Sequence, residues 1–196
     1  NDYSEGAHPN ILKSLTMLNE IQFEGYGLDD VSLLAVNKIK ELVNDPLATI
    51  HFIPGGTQTN LLAIASFLRP HEAVISVEIG HIATHETGAI EATGHKILEA
   101  KHNDGKVTVS EINRIVVEHH FEHMVKPKMV YISNPTEFGT VYTNSELEAI
   151  SAECKQLGLY LYCDGARLGS ALMSKSCDYS MEDLHKLVDA FFIGGT

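Results

Sequence analysis

The sequence predicts an α/β fold organised around a parallel sheet, on two observations. Short apolar, β-branched runs alternate with longer stretches of helical period, the pattern that crossover connections produce. In addition, 44% of the 196 residues are apolar and 20% are charged, enough to fill a core and too apolar for disorder. Strands are expected over Ala48 to Ile53, Ala73 to Val77, Lys96 to Leu98, Lys128 to Ser133, Leu159 to Cys163 and Asp189 to Ile193, each close to a turn residue or a polar end. Asp30 to Val43 carries Val31, Leu34, Ala35, Ile39, Leu42 and Val43 at roughly helical spacing, and an apolar helix is expected over Leu61 to Leu68. Thr143 with Glu146, and Thr108 with Glu111, have capping-box spacing and predict two helix starts. Gly158 predicts a helix stop before the run at Leu159. No repeat, low-complexity tract or linker divides the chain, which reads as one domain.

Charge narrows the possible partners. A formal net charge of -12 disfavours nucleic acid and anionic membrane, both of which need a basic face, and leaves small molecules as the expected ligands. The cysteines Cys154, Cys163 and Cys177 are odd in number and lack C-x-x-C spacing, so neither a disulfide framework nor a cysteine zinc site is expected. No apolar run approaches the roughly 20 residues of a membrane span, and the first residues lack a basic stretch followed by an apolar one. A cytoplasmic location is the expectation.

Three segments carry chemistry. In the first, Pro54-Gly55-Gly56-Thr57-Gln58-Thr59-Asn60 leads from a strand candidate into an apolar helix. Glycines let backbone N–H groups approach an anion, Thr57 adds a hydroxyl, and the helix contributes the positive end of its dipole. An ordinary strand-to-helix turn fits the same residues. In the second, the run Leu159 to Cys163 delivers Asp164, Gly165, Ala166, Arg167 and Leu168 at the carboxyl edge of the sheet, where open α/β sheets bind ligands. Asp164 suits holding a ring nitrogen protonated, and Arg167 suits a bidentate grip on a carboxylate. Equally, the two could pair with each other or cap the next helix. The third segment, Glu78 to Ala89, offers His81 as a stacking ring or general base. His81, His85 and Glu86 could instead bind a metal, but their order is not H-E-x-x-H, and no metal is expected. Glu118 to His123, dense in histidine, reads as the solvated face of a helix without a function.

Together these segments resemble the low-specificity L-threonine aldolase and β-eliminating lyase group of fold-type I pyridoxal-phosphate enzymes. Asn1 to Pro9 is similar to the group's opening segment, and Gly25-Tyr26-Gly27-Leu28-Asp29-Asp30 to its tyrosine-glycine-aspartate loop. Gly55-Gly56-Thr57 resembles the phosphate cup, Gly80-His81-Ile82 the segment of the stacking histidine, and Asp164-Gly165-Ala166-Arg167-Leu168 the D-G-A-R-L motif. The resemblance implies a three-layer sandwich with a mostly parallel central sheet. Residues 1–196 would be an N-terminal segment plus most of the cofactor-binding large domain, without the C-terminal small domain. It further implies that Gly56 and Thr57 bind phosphate, His81 covers the ring, Asp164 pairs with the pyridine nitrogen, and Ser4 and Arg167 hold the substrate carboxylate. The lysine that carries the cofactor is expected after Ala190 to Thr196; either the chain is a fragment that stops short of it or the next residue is that lysine in modified form, and the second is the expectation. A homodimer or homotetramer is implied as well.

One departure bears on the substrate. Where many members of the group have a second histidine, the segment Ser133 to Thr140 has Glu137. His81 or Glu137 would then be the base that takes the proton of a β-hydroxyl, with threonine or allo-threonine cleaved to glycine and an aldehyde. A β-eliminating lyase or aminotransferase-like enzyme, a metal-dependent hydrolase and a non-catalytic phosphate-binding domain are the competing expectations.

Overall fold

A computed structural model describes residues 4–195 of the chain. Two compact units emerge, one running to Phe52 and the other over Ile53–Gly195. In the first, an early proline and an imidazole cap open α1, Pro9–Leu18, with His8 Nδ1 accepting from the Asn10 N–H at 3.2 Å. Asp29 opens α2, Asp30–Leu42, by accepting from Ser32 Oγ at 2.7 Å and Ser32 N at 2.8 Å, bonds that hold its carboxyl below the usual aspartate range. Of the stripe expected over Asp30 to Val43, only Val43 is buried; Val31, Leu34 and Leu42 are exposed.

The second unit contains α3 (Gly56–Phe67), β1 (Glu72–Val77), α4 (His81–Thr84), β2 (Ile97–Ala100), α5 (Val109–Glu118), β3 (Lys126–Ser133), α6 (Asn144–Leu157), β4 (Tyr160–Asp164), α7 (Leu168–Leu172), α8 (Met181–Leu187) and β5 (Ala190–Phe191). Its strands pair in parallel in the order β2-β1-β3-β4-β5. Alternation along each strand feeds two cores. Ala73, Ile75, Val130, Ile132, Leu161 and Cys163 pack with Ile112 and Ile115 of α5, Leu147 and Ile150 of α6 and Leu184 of α8. Val74, Met129, Tyr131 and Tyr162 face the other way, onto Ile64 of α3 and Ile82 of α4. Sheet strands covered on both faces read as nearly unbroken apolar runs, which is why these were visible in the sequence. Each large apolar side chain buried in these layers contributes roughly 1.5–3 kcal/mol. The expected α/β sandwich with its parallel sheet is therefore present.

Helix ends follow the capping residues. Thr143 accepts from the Glu146 N–H while the Glu146 carboxylate accepts from the Thr143 N–H, a complete box, and Gly158 closes α6 at φ 67°. At Thr108 only half the box forms: its hydroxyl accepts from Glu111 N, but the Glu111 carboxylate is engaged by Arg114 and by the Lys101 N–H.

Three expectations on local structure need correction. Ala48 to Ile53 forms no strand, because its backbone meets no paired strand among the described residues, and a β-prone run cannot substitute for a ladder partner. The helix foreseen from Leu61 begins earlier, at Gly56, taking in the glycine-threonine segment. Glu118 to His123 is not a helix face: α5 stops at Glu118, where the His119 and His120 rings turn Nδ1 onto the carbonyls of Ile115 and Val117 at 2.8 and 2.7 Å. These side chains give donors to carbonyls of the last helical turn. Among the described residues no helix is long and apolar enough to cross a membrane.

Two glycines separate backbone need from open space. Gly158→Ala, at positive φ, is expected to lower the stability of the full-length protein by about 1 kcal/mol. Gly169→Ala in α7, where a Cβ meets nothing within 4 Å, is expected to be neutral or to add about 0.5–1 kcal/mol. Denaturant midpoints at constant m-value check both.

Candidate active site

Parallel pairing brings the strand ends to one edge, with Ser133 opposite Asp164 and Val77 opposite Ala100. Asp164, the last residue of β4, is 4% exposed, and a carboxylate so placed needs donors to offset lost hydration. It has them from three sources. Oδ2 accepts from Asn60 Nδ2 at 2.9 Å and from the Tyr131 hydroxyl at 2.5 Å, and Oδ1 accepts from the Ala166 N–H at 3.0 Å. Burial pushes the Tyr131 phenol well above its usual range, helped by the neighbouring Asp164 charge, and burial does the same to Tyr162. Both tyrosines consequently remain O–H donors.

Asn60 joins this carboxylate to a second one. Its Nδ2 also donates to Glu86 Oε1 at 2.6 Å, while its Oδ1 accepts from the Tyr162 hydroxyl at 2.9 Å. Glu86 Oε1 lies 2.9 Å from His81 Nδ1 as well. That hydrogen bond raises the His81 pKa above the ordinary histidine value; burial opposes the shift, and the charges of Glu86, Glu137 and Asp164 add to it. His81, at the start of α4, keeps its side chain 39% exposed, whereas that of Glu86 is fully buried.

The opening of α3 lies on the same helix one turn before Asn60. Gly55 at φ 92° leads into it, no side chain caps it, and Gly55, Gly56 and Thr57 are exposed. A helix start with uncapped N–H groups and glycines that leave room for close approach can hold a phosphate. Three residues of helix rise by about 4.5 Å, so this start and the Asp164 carboxylate border one region.

Arg167 Nη2 lies 3.8 Å from Glu137 Oε2. The Glu137 loop is held by Thr136, whose N–H donates to Thr140 O at 2.8 Å and whose hydroxyl meets that of Thr140 at 2.7 Å. Thr140 Oγ1 in turn donates to Asp104 O at 2.7 Å. The expected Asp164 and Arg167 therefore stand at one strand end with different partners, Asn60 and Tyr131 for the acid, Glu137 for the guanidinium. His85 is exposed with its ring 5.6 Å from that of His81, and the group whose ligand atoms come within 4.8 Å of one another is His81, Glu86 and Asp164. Ser4 belongs to the first unit, exposed and at φ 54°. Of the opening segment likened to the enzyme group, Asn1, Asp2 and Tyr3 lie outside the described residues, as does Thr196.

Sequence reasoning did not assign Asn60, Tyr131 or Tyr162, and it weighed Glu86 only as a metal ligand. One signal was available: Tyr162 lies two residues before Asp164 on the same strand, and Tyr131 two before Ser133, so both face the site layer.

The segment after α8 is clasped to the turn of Asp164. Phe192 N donates to Cys163 O at 3.2 Å and Gly194 N to Gly165 O at 2.9 Å. A Cβ at Gly165 would stand 2.1 Å from Phe192 O, and one at Gly194 2.0 Å from Ala166 O. Gly165→Ala and Gly194→Ala are each expected to destabilise the full-length protein by more than about 1 kcal/mol, against no loss for Gly169→Ala, where nothing among the described residues lies within 4 Å. Thermal midpoints measured side by side check the contrast.

The family described as β-eliminating lyase matches residues 17–196. The chain is 34% identical to a low-specificity L-threonine aldolase from Pseudomonas aeruginosa, with 100% of this chain and 57% of that protein covered. A counterpart from another Pseudomonas species is 33% identical with the same coverage. The solved structure of Leishmania major threonine aldolase superposes with a TM-score of 0.96 at 55% identity, covering 98% of this chain and 56% of that one. The chain thus spans about half the length of the relatives it matches. It belongs to the β-eliminating lyase family.

Proposed function

We propose that the protein is a pyridoxal-phosphate-dependent aldolase that cleaves threonine or allo-threonine, as β-hydroxy-α-amino acids, to glycine and an aldehyde. Residues 1–196 would supply its N-terminal segment and most of its cofactor domain. Family membership and the names of the relatives from Pseudomonas and Leishmania support this. The observation that carries it is the buried Asp164 carboxylate, fixed by Asn60 and Tyr131 at the sheet edge beside an uncapped, glycine-led helix start.

Those residues fit the cofactor by the chemistry of their donors and acceptors. The open N–H groups at Gly56 and Thr57, with the Thr57 hydroxyl, suit its phosphate; the Asp164 carboxylate suits a protonated ring nitrogen; the half-exposed His81 ring suits a stacked cover. When bound, pyridoxal phosphate supplies a cationic ring that accepts the electron pair left on the substrate's α-carbon. Everything else falls to side chains. Asn60 and Tyr131 keep the Asp164 carboxylate aimed, so that it can retain a proton on the ring nitrogen. Arg167 would grip the substrate carboxylate, and Glu137 braces the guanidinium. His81 or Glu137, directly or through a water, would take the proton of the β-hydroxyl.

A β-eliminating lyase acting on another amino acid is the second reading, favoured by Glu137 at a position where an imidazole would handle a hydroxyl. Ammonia with a keto acid, in place of glycine with an aldehyde, identifies it. A homodimer or homotetramer is also proposed, on the resemblance to the enzyme group alone. A cytoplasmic location is proposed from the free cysteines.

Incubating the full-length protein with threonine is expected to yield glycine and acetaldehyde in equal amounts, and Asp164→Ala to abolish the reaction. Formation of neither product would overturn the assignment. His81→Asn is expected to lower kcat by about 10²–10⁴-fold, and unaltered turnover would remove His81 as the base. A base acts unprotonated. Because the His81 pKa is raised, kcat should fall as the pH drops through a value above the ordinary histidine pKa, and His81→Asn should remove that limb.

A further inference from the structure

We propose that Glu86 is a positioning residue for His81: its buried carboxylate fixes the imidazole with the proton on Nδ1, leaving Nε2 as the nitrogen that receives a proton. Nothing in the aldolase assignment requires Glu86, and the inference rests on that assignment only in taking His81 as the working imidazole.

The contact decides the tautomer. A carboxylate oxygen only accepts, so with Glu86 Oε1 2.9 Å from His81 Nδ1, that nitrogen must be the donor. Its neutral form then carries the lone pair on Nε2. Glu86 cannot swing away, because its side chain is fully buried and Oε1 is also held by Asn60 Nδ2 at 2.6 Å. Asn60 is itself oriented at both ends, its amide oxygen taking the Tyr162 hydroxyl at 2.9 Å and its nitrogen also reaching Asp164 at 2.9 Å. Were the Asn60 amide flipped, Nδ2 would face the Tyr162 oxygen and Oδ1 would face two carboxylates, which cannot donate to it. Among the described residues Glu86 Oε2 is buried without a hydrogen-bond partner, and the contacts of this carboxylate to His81 and Asn60 run through Oε1. A half-exposed imidazole backed by a fully buried acid is the arrangement that orients a histidine base and stabilises its cation as the proton arrives.

Other charges face the same ring. Glu137 acts on it from the loop after β3, Asp164 from the end of β4, and the His85 ring stands 5.6 Å away at the end of α4. Glu86→Gln leaves all three in place and keeps the shape of the side chain, so its effect isolates the Glu86 charge.

The test uses the full-length protein without cofactor, labelled with ¹⁵N-histidine, with the His81 signals assigned by His81→Asn. Two-dimensional NMR across a pH titration reports tautomer and acid dissociation together. The wild type is expected to show neutral His81 protonated on Nδ1, and Glu86→Gln to raise its acid dissociation constant about tenfold. Glu86→Asp, which keeps the charge, is expected to return part of that shift. Neutral His81 protonated on Nε2 in the wild type would overturn the proposal without recourse to any variant. So would a Glu86→Gln titration identical to wild type. With threonine, Glu86→Gln should lower kcat more than it changes KM. If no glycine forms, the aldolase assignment fails while the ring measurement still decides the role of Glu86.

Discussion

The buried carboxylate of Asp164 is the constraint around which the second unit is arranged. A charge out of water is tolerated only when its oxygens are occupied, and here the donors come from α3, β3 and the turn after β4. Those donors reach it only if β4 lies beside β3 and α3 packs over the face that carries Tyr131 and Tyr162. Strand order, helix placement and site geometry are thus one requirement. The same amide that satisfies Asp164 sits one helical turn from Gly56 and Thr57, so fixing the acid also fixes where an anion at the helix start would lie.

Polar pairing, rather than compensation by cations, holds this centre. Asp164 and Glu86 share one asparagine, and the tyrosines stay protonated because burial and the nearby negative charge disfavour their phenolates. Two basic side chains each face an acid there: Arg167 faces Glu137, and His81 faces Glu86. An acidic interior beside basic side chains suits the proposed function, in which Asp164 would keep a ring nitrogen protonated and Arg167 would hold a carboxylate.

Much of this was legible in the residues. The parallel sheet shows because strands buried on both faces give unbroken apolar runs, and the helix starts at Thr143 and Thr108 show because capping is local. Gly56, Thr57, His81 and Asp164 were legible as segment motifs at element ends. Their binding partners were not. Asn60 meets Glu86 across 26 positions and Asp164 across 104, Tyr162 meets Asn60 across 102, and Tyr131 meets Asp164 across 33. No local pattern marks such pairs, since each belongs to an element whose own periodicity reads as core. The opposite error arose at Ala48 to Ile53, where strand propensity was visible but a partner strand is a property of the assembled sheet, and at Glu118 to His123, where the helix stops at Glu118 and histidine rings take up carbonyls of its last turn.

A crystal structure of the full-length protein with pyridoxal phosphate bound tests the role of the Asp164 carboxylate most directly. The predicted result is a ring nitrogen about 3 Å from Asp164 while Asn60 and Tyr131 keep their hydrogen bonds to the same side chain. A ring nitrogen paired with any other group, or Asp164 turned away from it, would contradict the assignment.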